Sequence, residues 1–331
     1  MDKEKNVWLT WHYQARSRNL AKIFNLKLYE YFRNKNLFER HLFSFFWAIK
    51  ILFKVRPKIV FIQYSFLLLL IVAVYKKIRF KKVLLVVDCH TKALRRRATG
   101  VFASLFWRLK TWSFNAADLT IISNEGLIRD ISELHNNFVI LPDKISEERI
   151  EKLKSKKEKY CVYISSFQID EPFEEVLKAS ELLKNKLKFY WTGKCPTKVK
   201  EVKNNFPNVK FTDYLSFPDY YNLIGNADCL LALTTEDDCL QSGAYEALNM
   251  EVPFVISNKK ALQSYFQNAA IYTSHNPSDI AEAIENAISN RDIIKHNILK
   301  IKSLRNKEFD EISAKIKNIM DAQTKRLKAS F

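Results

Sequence analysis

Asp238 and Glu246 are separated by seven residues in the stretch DDCLQSGAYEALNMEVPFVI, which runs from Asp237 to Ile256. The apolar run DCLLALT before it reads as a strand, so Thr234–Gln241 form a loop at a sheet edge. Gln241 or Ser242 is placed to cap the helix that follows, and Gly243 would let backbone approach a ligand closely. The first turn of such a helix has N–H groups with no internal partner, and the helix dipole adds to their attraction for an anion. Glu246 falls about one turn inside that helix and Asp238 stands ahead of it. Two carboxylates flanking an anion site suit a ligand with hydroxyls on both sides of a phosphate, and a nucleotide-sugar is such a ligand. Asp237 has no part in this reading.

The elements that must hold these residues follow from the pattern of apolar runs. In the second half KYCVYISS, LKFYWTG (ending at Gly193), VKFTDYL, DCLLALT and VPFVIS read as strands. Between them lie the helical stretches PFEEVLKASELLKN, with Pro172 in its first turn, and PDYYNLIGNA. A helix starts near Pro277, and a long polar helix ends the chain. In the first half NVWLTWH, PKIVFIQ, KKVLLVVDCH and DLTIIS alternate with helices near 18–25, 37–54, 66–77 and 102–116. The strand runs are unbroken rather than alternating, as in a parallel sheet covered on both faces. The expectation is an α/β protein with two doubly wound, Rossmann-like domains facing across a cleft. The expected boundaries are 1–150 and 151–305, with a helix at 306–331 packing back on the first domain and the charged stretch SEERIEKLKSKKEK as linker.

Charge is distributed unevenly. Residues 20–110 hold 20 Lys and Arg against Glu30, Glu39 and Asp88, so this third carries nearly all of the net +18. Such a field attracts an anionic membrane surface, a polyanionic acceptor or nucleic acid. Nucleic acid is the weakest of these, because the basic residues interleave with sheet-forming core and show no exposed aromatic platform. The uncharged run Ile59–Tyr75 is near the lower length limit for a membrane span, but Gln63, Tyr64 and Ser65 split it, so the preferred reading is a strand and an apolar helix in a domain core, with a helix dipping into a membrane face or a true span as the alternatives. The five cysteines form no CxxC pair, and Cys89, Cys161 and Cys229 lie in apolar runs as core thiols. No signal peptide is read at the start, and the expected setting is a reducing cytoplasm. The six histidines lack zinc spacing, and no Walker A, GxSxG or GxGxxG motif occurs.

The order acid-x7-Glu, then Ala, then Pro before a strand resembles the signature of the retaining group 1 glycosyltransferases, enzymes of the GT-B fold. Ala247 and Pro253 match that signature outright. The segments AADLTIISNEGLIRDI, VILPDKI, FYWTGK and VKFTDYLSFPDYYNLIGNADCLLAL extend the resemblance over most of residues 80–290. The resemblance implies that Asp238 contacts the donor sugar, Glu246 the ribose, and Gln241, Ser242 and Gly243 the diphosphate. Gly193, Lys194, Tyr214, Leu215 and Phe167 complete the implied donor side. Where the signature has glycines this chain has Cys239, Gln241 and Glu251, and in place of the Arg and Lys expected after the first strand of the second domain it has Gln168, Asp170 and Glu171. Cations for the diphosphate must then come from elsewhere. Arg16 and His90 are the candidates beside the reacting centre, and Arg18, Lys92 and Arg95 those on the acceptor or phosphate side.

The implied reaction moves a sugar, with retention, from a UDP- or GDP-sugar to a glycan or lipid-linked acceptor in cell-surface polysaccharide synthesis. No metal and no cofactor beyond the nucleotide-sugar co-substrate are expected, and the protein is expected to sit in the cytoplasm or on the inner face of the cell membrane. Two other readings stay open: a nucleotide-sugar epimerase of the same fold, and a membrane-associated binding protein with a decayed transferase site.

Overall fold

The computed structural model describes residues 6–31, 37–80, 82–89, 94, 100–145, 158–196 and 206–329. The chain forms two compact units, one of Met1–Asp143 with Phe309–Phe331 and one of Lys144–Glu308.

The first unit is built on six parallel strands: β1 (Asn6–Thr10), β2 (Lys27–Glu30), β3 (Ile59–Gln63), β4 (Leu84–Cys89), β5 (Leu119–Ile122) and β6 (Phe138–Ile140). Their order is β2-β1-β3-β4-β5-β6, all parallel. Every residue of β1, β3, β4 and β5 is buried, which explains their unbroken apolar sequence. Helices α2 (Leu37–Val55), α3 (Phe66–Ile78) and α4 (Ala103–Asn115) cover one face through Leu52, Leu69, Val72 and Phe114. Helix α1 (Ala15–Ile23) covers the other through Leu20 and Ala21. The uncharged run from Ile59 resolves into β3 and α3, and Gln63 at the break accepts a hydrogen bond from Thr10 Oγ1. Among the described residues no helix is long and apolar enough to cross a membrane.

The second unit has β7 (Tyr160–Tyr163), β8 (Lys188–Thr192), β9 (Val209–Asp213), β10 (Cys229–Ala232), β11 (Phe254–Ser257) and β12 (Ile271–Thr273). The order β12-β11-β10-β7-β8-β9 places a reversal of winding between β7 and β10. Ligands of open parallel sheets bind outside the strand ends at such a switch point. The helices are α6 (Phe173–Leu182), α7 (Phe217–Gly225), α8 (Ser242–Met250), α9 (Lys260–Phe266), α10 (Pro277–Ser289) and α11 (Arg291–Ala329), with the short α5 (Ile128–Ser132) belonging to the first unit. Helix α8 ends on Glu251 in the left-handed conformation (φ 55°), where a glycine is the usual choice, and Glu251 pairs with Lys302 of α11 at 3.2 Å. Along α11, Ile294, Ile298 and Ile301 lie in the core of the second unit, whereas Phe309, Ile316 and Met320 lie in that of the first. Most of the stretch read as a linker, residues 146–157, lies outside the described residues.

Candidate functional site

Helix α8 starts at the switch point, directly after the loop that leaves β10. Its N-cap, Gln241, is extended (φ −76°, ψ 140°) and makes no side-chain cap bond, and the first turn holds no acid. The Gln241 side chain turns back instead, Nε2 donating to the Leu233 carbonyl at 2.7 Å while Oε1 is buried without a hydrogen-bond partner. The first turn of α8 is therefore left without a cap from its own N-cap side chain. The loop ahead of it is tied down at several points. Thr234 N–H donates to Ser257 Oγ (2.8 Å), Thr234 Oγ1 to Asp170 (3.0 Å), and Thr235 N–H to the Asp170 carbonyl (2.7 Å). Asp237 takes a salt bridge from Lys259 at 2.9 Å, a part in holding the loop that its sequence position does not indicate. Asp238 is half-buried one residue further on, four residues before α8.

Gly243 has no room for a side chain. A Cβ there would lie 3.0 Å from Ala232 Cβ on β10 and 3.0 Å from Ile164 Cγ2, just past the end of β7. The missing side chain lets the start of α8 sit down on the two strands that flank the switch point. Glu246, one turn along, is partly buried and accepts a hydrogen bond from the Tyr220 hydroxyl of α7. Burial raises the Glu246 carboxyl above its ordinary range, and the Tyr220 bond opposes that shift. Burial and the neighbouring Glu246 hold the Tyr220 phenol protonated. Sequence reasoning misses Tyr220, which is one of two adjacent tyrosines on a helix with nothing to tie it to Glu246.

Across the switch point, the loop after β7 makes a cup. Backbone N–H groups of Ser166 and Phe167 and the hydroxyls of Ser165 and Ser166 converge on one carboxylate, that of Glu171. The backbone contacts are 2.9–3.1 Å, and Phe167 has φ 55°. Successive N–H groups aimed at one point are a common anion cradle, and here the anion is the chain's own. Glu174 and Glu175 stand in the first turn of α6, so this helix terminus is acidic where that of α8 is bare. The positions where a resemblance to group 1 enzymes would put Arg and Lys thus carry a self-filled anion cup.

The neighbouring strand ends place the rest of the expected donor side. Gly193 follows β8 with φ 88°, and a Cβ there would meet the Ser165 carbonyl oxygen at 2.2 Å, so no other residue fits. Lys194 is exposed and has no ion-pair partner among the described residues. Phe167 packs its ring against Trp191 and Phe211, centroids 6.1 and 6.4 Å away. Tyr214 is 80% exposed and Leu215 36% exposed, just beyond Asp213, whose left-handed backbone (φ 54°) turns the chain and whose side chain accepts from Cys195 N–H. Asp238, Gln241, Ser242, Gly243, Glu246, Phe167, Gly193, Lys194, Tyr214 and Leu215 all lie on elements of the second unit at or beside the carboxyl ends of its strands, Glu246 and Gly243 within α8.

The expected cations of the first unit are differently disposed. Arg16 is buried; its Nε and Nη2 hold Asp88, Nη1 holds Asp143 at 2.8 Å, and Nη2 also donates to the Leu141 carbonyl. Its charge is spent inside the fold, tying α1 to β4 and to the end of β6, which corrects the expectation of a free catalytic cation. Arg18 is likewise engaged, with Glu30 at 2.8–3.1 Å and over the Tyr13 ring at 3.6 Å. His90, Lys92 and Arg95 lie outside the described residues. Among the described residues no group of three His, Cys, Asp or Glu side chains is placed to hold a metal ion.

Residues 158–290 match the family model described as Glycosyl transferases group 1, which places the match on the second unit. No curated protein matches the chain. Among solved structures, HepE (Alr3699) of Anabaena in complex with UDP is similar over 96% of this chain and 100% of that one, with a TM-score of 0.69 at 11% identity. The lipopolysaccharide outer core galactosyltransferase WaaB is similar over 94% and 99%, TM-score 0.62, 13% identity. A glycosyltransferase from Rickettsia africae is similar over 94% and 90%, TM-score 0.67, 12% identity. At these identities the likeness establishes the fold, which is GT-B with two Rossmann-like units.

Proposed function

We propose that the chain is a glycosyltransferase that takes a nucleotide-sugar donor, a UDP- or GDP-sugar, on its second unit. The observation that carries this reading is the start of α8 at the switch point, whose N-cap side chain makes no cap bond, with Asp238 ahead of it and the partly buried Glu246 inside it, in a segment that matches the group 1 family model. That HepE is solved with UDP supports the nucleotide, since the two chains share their fold over nearly their whole lengths.

In this proposal Glu246 takes the ribose hydroxyls, with Tyr220 holding its carboxylate in place. Asp238 positions the donor sugar. The first-turn N–H groups of α8 near Ser242 stabilise the charge that grows on the leaving diphosphate, and preorganised donors of this kind are effective because they need no reorganisation. Lys194 supplies the cation that Arg16 and Arg18 do not. The acceptor, a glycan or a lipid-linked sugar in cell-surface polysaccharide synthesis, belongs to the basic first unit and to a membrane surface. The reaction proceeds with retention and without a metal.

A thermal-shift series tests the donor site. A nucleotide-sugar present at 100 times its Kd adds about 2.7 kcal/mol to stability, a shift of several degrees for a protein of this size. Asp238→Ala and Glu246→Ala are each expected to lose most of that shift, and Lys194→Gln part of it. If no UDP- or GDP-sugar shifts the wild-type protein, or both alanine variants keep the full shift, the assignment fails. Conversion of the donor sugar in the absence of any acceptor would instead identify an epimerase.

A further inference from the structure

The outer face of α2, α3 and α4 is apolar and cationic at once. On α2 the exposed side chains Phe46, Lys50, Phe53 and Lys54 fall at helical spacing and form one stripe. On α3 Val74, Lys77 and Ile78 do the same, with Phe80 just beyond at 86% exposure. On α4 Leu105, Arg108 and Trp112 form a third stripe, preceded by the exposed Val101 and Phe102. The buried sides of all three helices share one core under one face of the sheet, and α3 packs against both of the others, so the stripes lie side by side. Exposed apolar side chains on this scale mark a surface that meets something.

The charges name the partner. Between Arg40 and Ala117 the sequence contains a single acid, Asp88, and it is fully buried against Arg16. Part of the basic excess of this region is internal: Lys76 pairs with Asp118, and Lys110 is buried with its ammonium on the Leu94 carbonyl at 2.7 Å. Among the described residues, the exposed cations on and just after these helices include Lys50, Lys54, Arg56, Lys77 and Arg108. In the sequence the acids that flank this stretch are Glu39, at the start of α2, and Asp118, held by Lys76. A face that mixes phenylalanine, isoleucine and tryptophan with lysine and arginine, and is so poor in carboxylates, is complementary to a bilayer with anionic headgroups. A cavity of about 740 Å³ opens on the same face between the ends of α3 and α4, with Lys77, Phe80 and Trp112 in its wall beside the Lys76–Asp118 ion pair. It is room for an acyl chain beside a cation for its headgroup.

We propose that the chain docks in the plane of an anionic lipid bilayer through the α2–α3–α4 face, with Phe46, Phe53, Ile78 and Phe80 entering the interface and the lysines and Arg108 meeting the headgroups. This deepens the acceptor half of the function proposed above, and it is tested without donor or acceptor so that the two fail separately. The full chain is sedimented with vesicles of phosphatidylcholine alone or mixed with phosphatidylglycerol. Binding is expected only to the mixed vesicles and to weaken with salt. Lys50→Gln with Lys54→Gln should lower the partition coefficient about fivefold per residue, the worth of one cation near such a surface. Phe46→Glu with Phe53→Glu, and separately Ile78→Glu, should lower it at least as much; these positions are exposed, and unchanged circular dichroism confirms folding. The proposal is overturned by failure of the wild type to bind phosphatidylglycerol vesicles at low salt, or by equal binding of the glutamate variants. A dimer by light scattering that Phe46→Glu with Phe53→Glu dissociates would overturn it too, by assigning the face to a second copy of the chain.

Discussion

Glu246 is a carboxylate held in a place that disfavours its charge. Burial raises its pKa, so the folded chain binds a proton there more tightly than the unfolded chain does. Such a group costs stability as pH rises through its folded pKa, and the cost is fully present above it. Glu246→Gln removes that cost while leaving an oxygen for Tyr220, so the free protein is expected to melt higher at neutral pH and to lose its protection by nucleotide-sugar. A Glu246→Gln variant that melts lower than wild type, measured by calorimetry at pH 7, would contradict this. Glu171 gives the opposite case, a carboxylate whose loss empties a cup. Glu171→Ala should cost about 1–3 kcal/mol, the range for hydrogen bonds to a charged group left unsatisfied. Added sulfate should recover part of it, because two N–H groups and two hydroxyls then face an empty space. Equal effects of sulfate on wild type and variant would show that the cup holds no anion but its own. The Asp238–Glu246 spacing is visible in the sequence because it lies along one loop and helix. Tyr220 and Glu171 are not, since their partners are set by how α7 meets α8 and how a loop folds on itself.

At the scale of elements, unbroken apolar runs make the buried strands β1, β3, β4, β5, β7, β10 and β11 readable, since a strand covered on both faces has no polar side to show. β2, β6 and β12 leave no such signal, for they are edge strands of three or four residues whose side chains are largely half-exposed. The glycines separate in the same way. Gly243 reads in sequence as a point of ligand approach, and its missing side chain also lets α8 contact β10 and Ile164. Gly193 combines φ 88° with a Cβ position 2.2 Å from the Ser165 carbonyl oxygen, so alanine must displace the β7 loop that holds the Glu171 cup. Gly193→Ala is expected to lower stability by about 2–4 kcal/mol, combining backbone strain with a clash against main chain. Urea unfolding would measure it, and a midpoint within error of wild type would mean that the β7 loop yields without cost.

Across the whole molecule, each unit contains one histidine built into its core edge in the same manner. His135 Nδ1 meets Thr120 Oγ1 at 2.9 Å and the ring also bonds the Ala117 backbone; His275 Nε2 meets Ser257 Oγ at 2.9 Å and bonds the backbone of Thr234. Burial is the largest cause that lowers the pKa of each below 6.5. A depressed histidine pKa means that the unfolded chain binds more protons than the folded one as pH falls below 6.5. Stability is therefore fully present above the unfolded value and is lost progressively down to the folded one. Glu246 acts with the opposite sign, but from its own window above the ordinary carboxylate range, so the two contributions are separable by mutation. Unfolding free energy from urea titrations should be flat from pH 8 to about 7 and fall as the histidines begin to titrate near 6.5. His135→Gln with His275→Gln should flatten the falling limb, although each change also weakens the hydroxyl contact and lowers the plateau. Because Ser257 also receives the Thr234 N–H, protonation of His275 would loosen the loop that carries Asp238. If the proposed donor site is right, nucleotide-sugar protection falls with pH in wild type and loses that dependence in His275→Gln alone, while His135→Gln leaves it in place; identical pH profiles for the two single variants would detach His275 from the loop that carries Asp238.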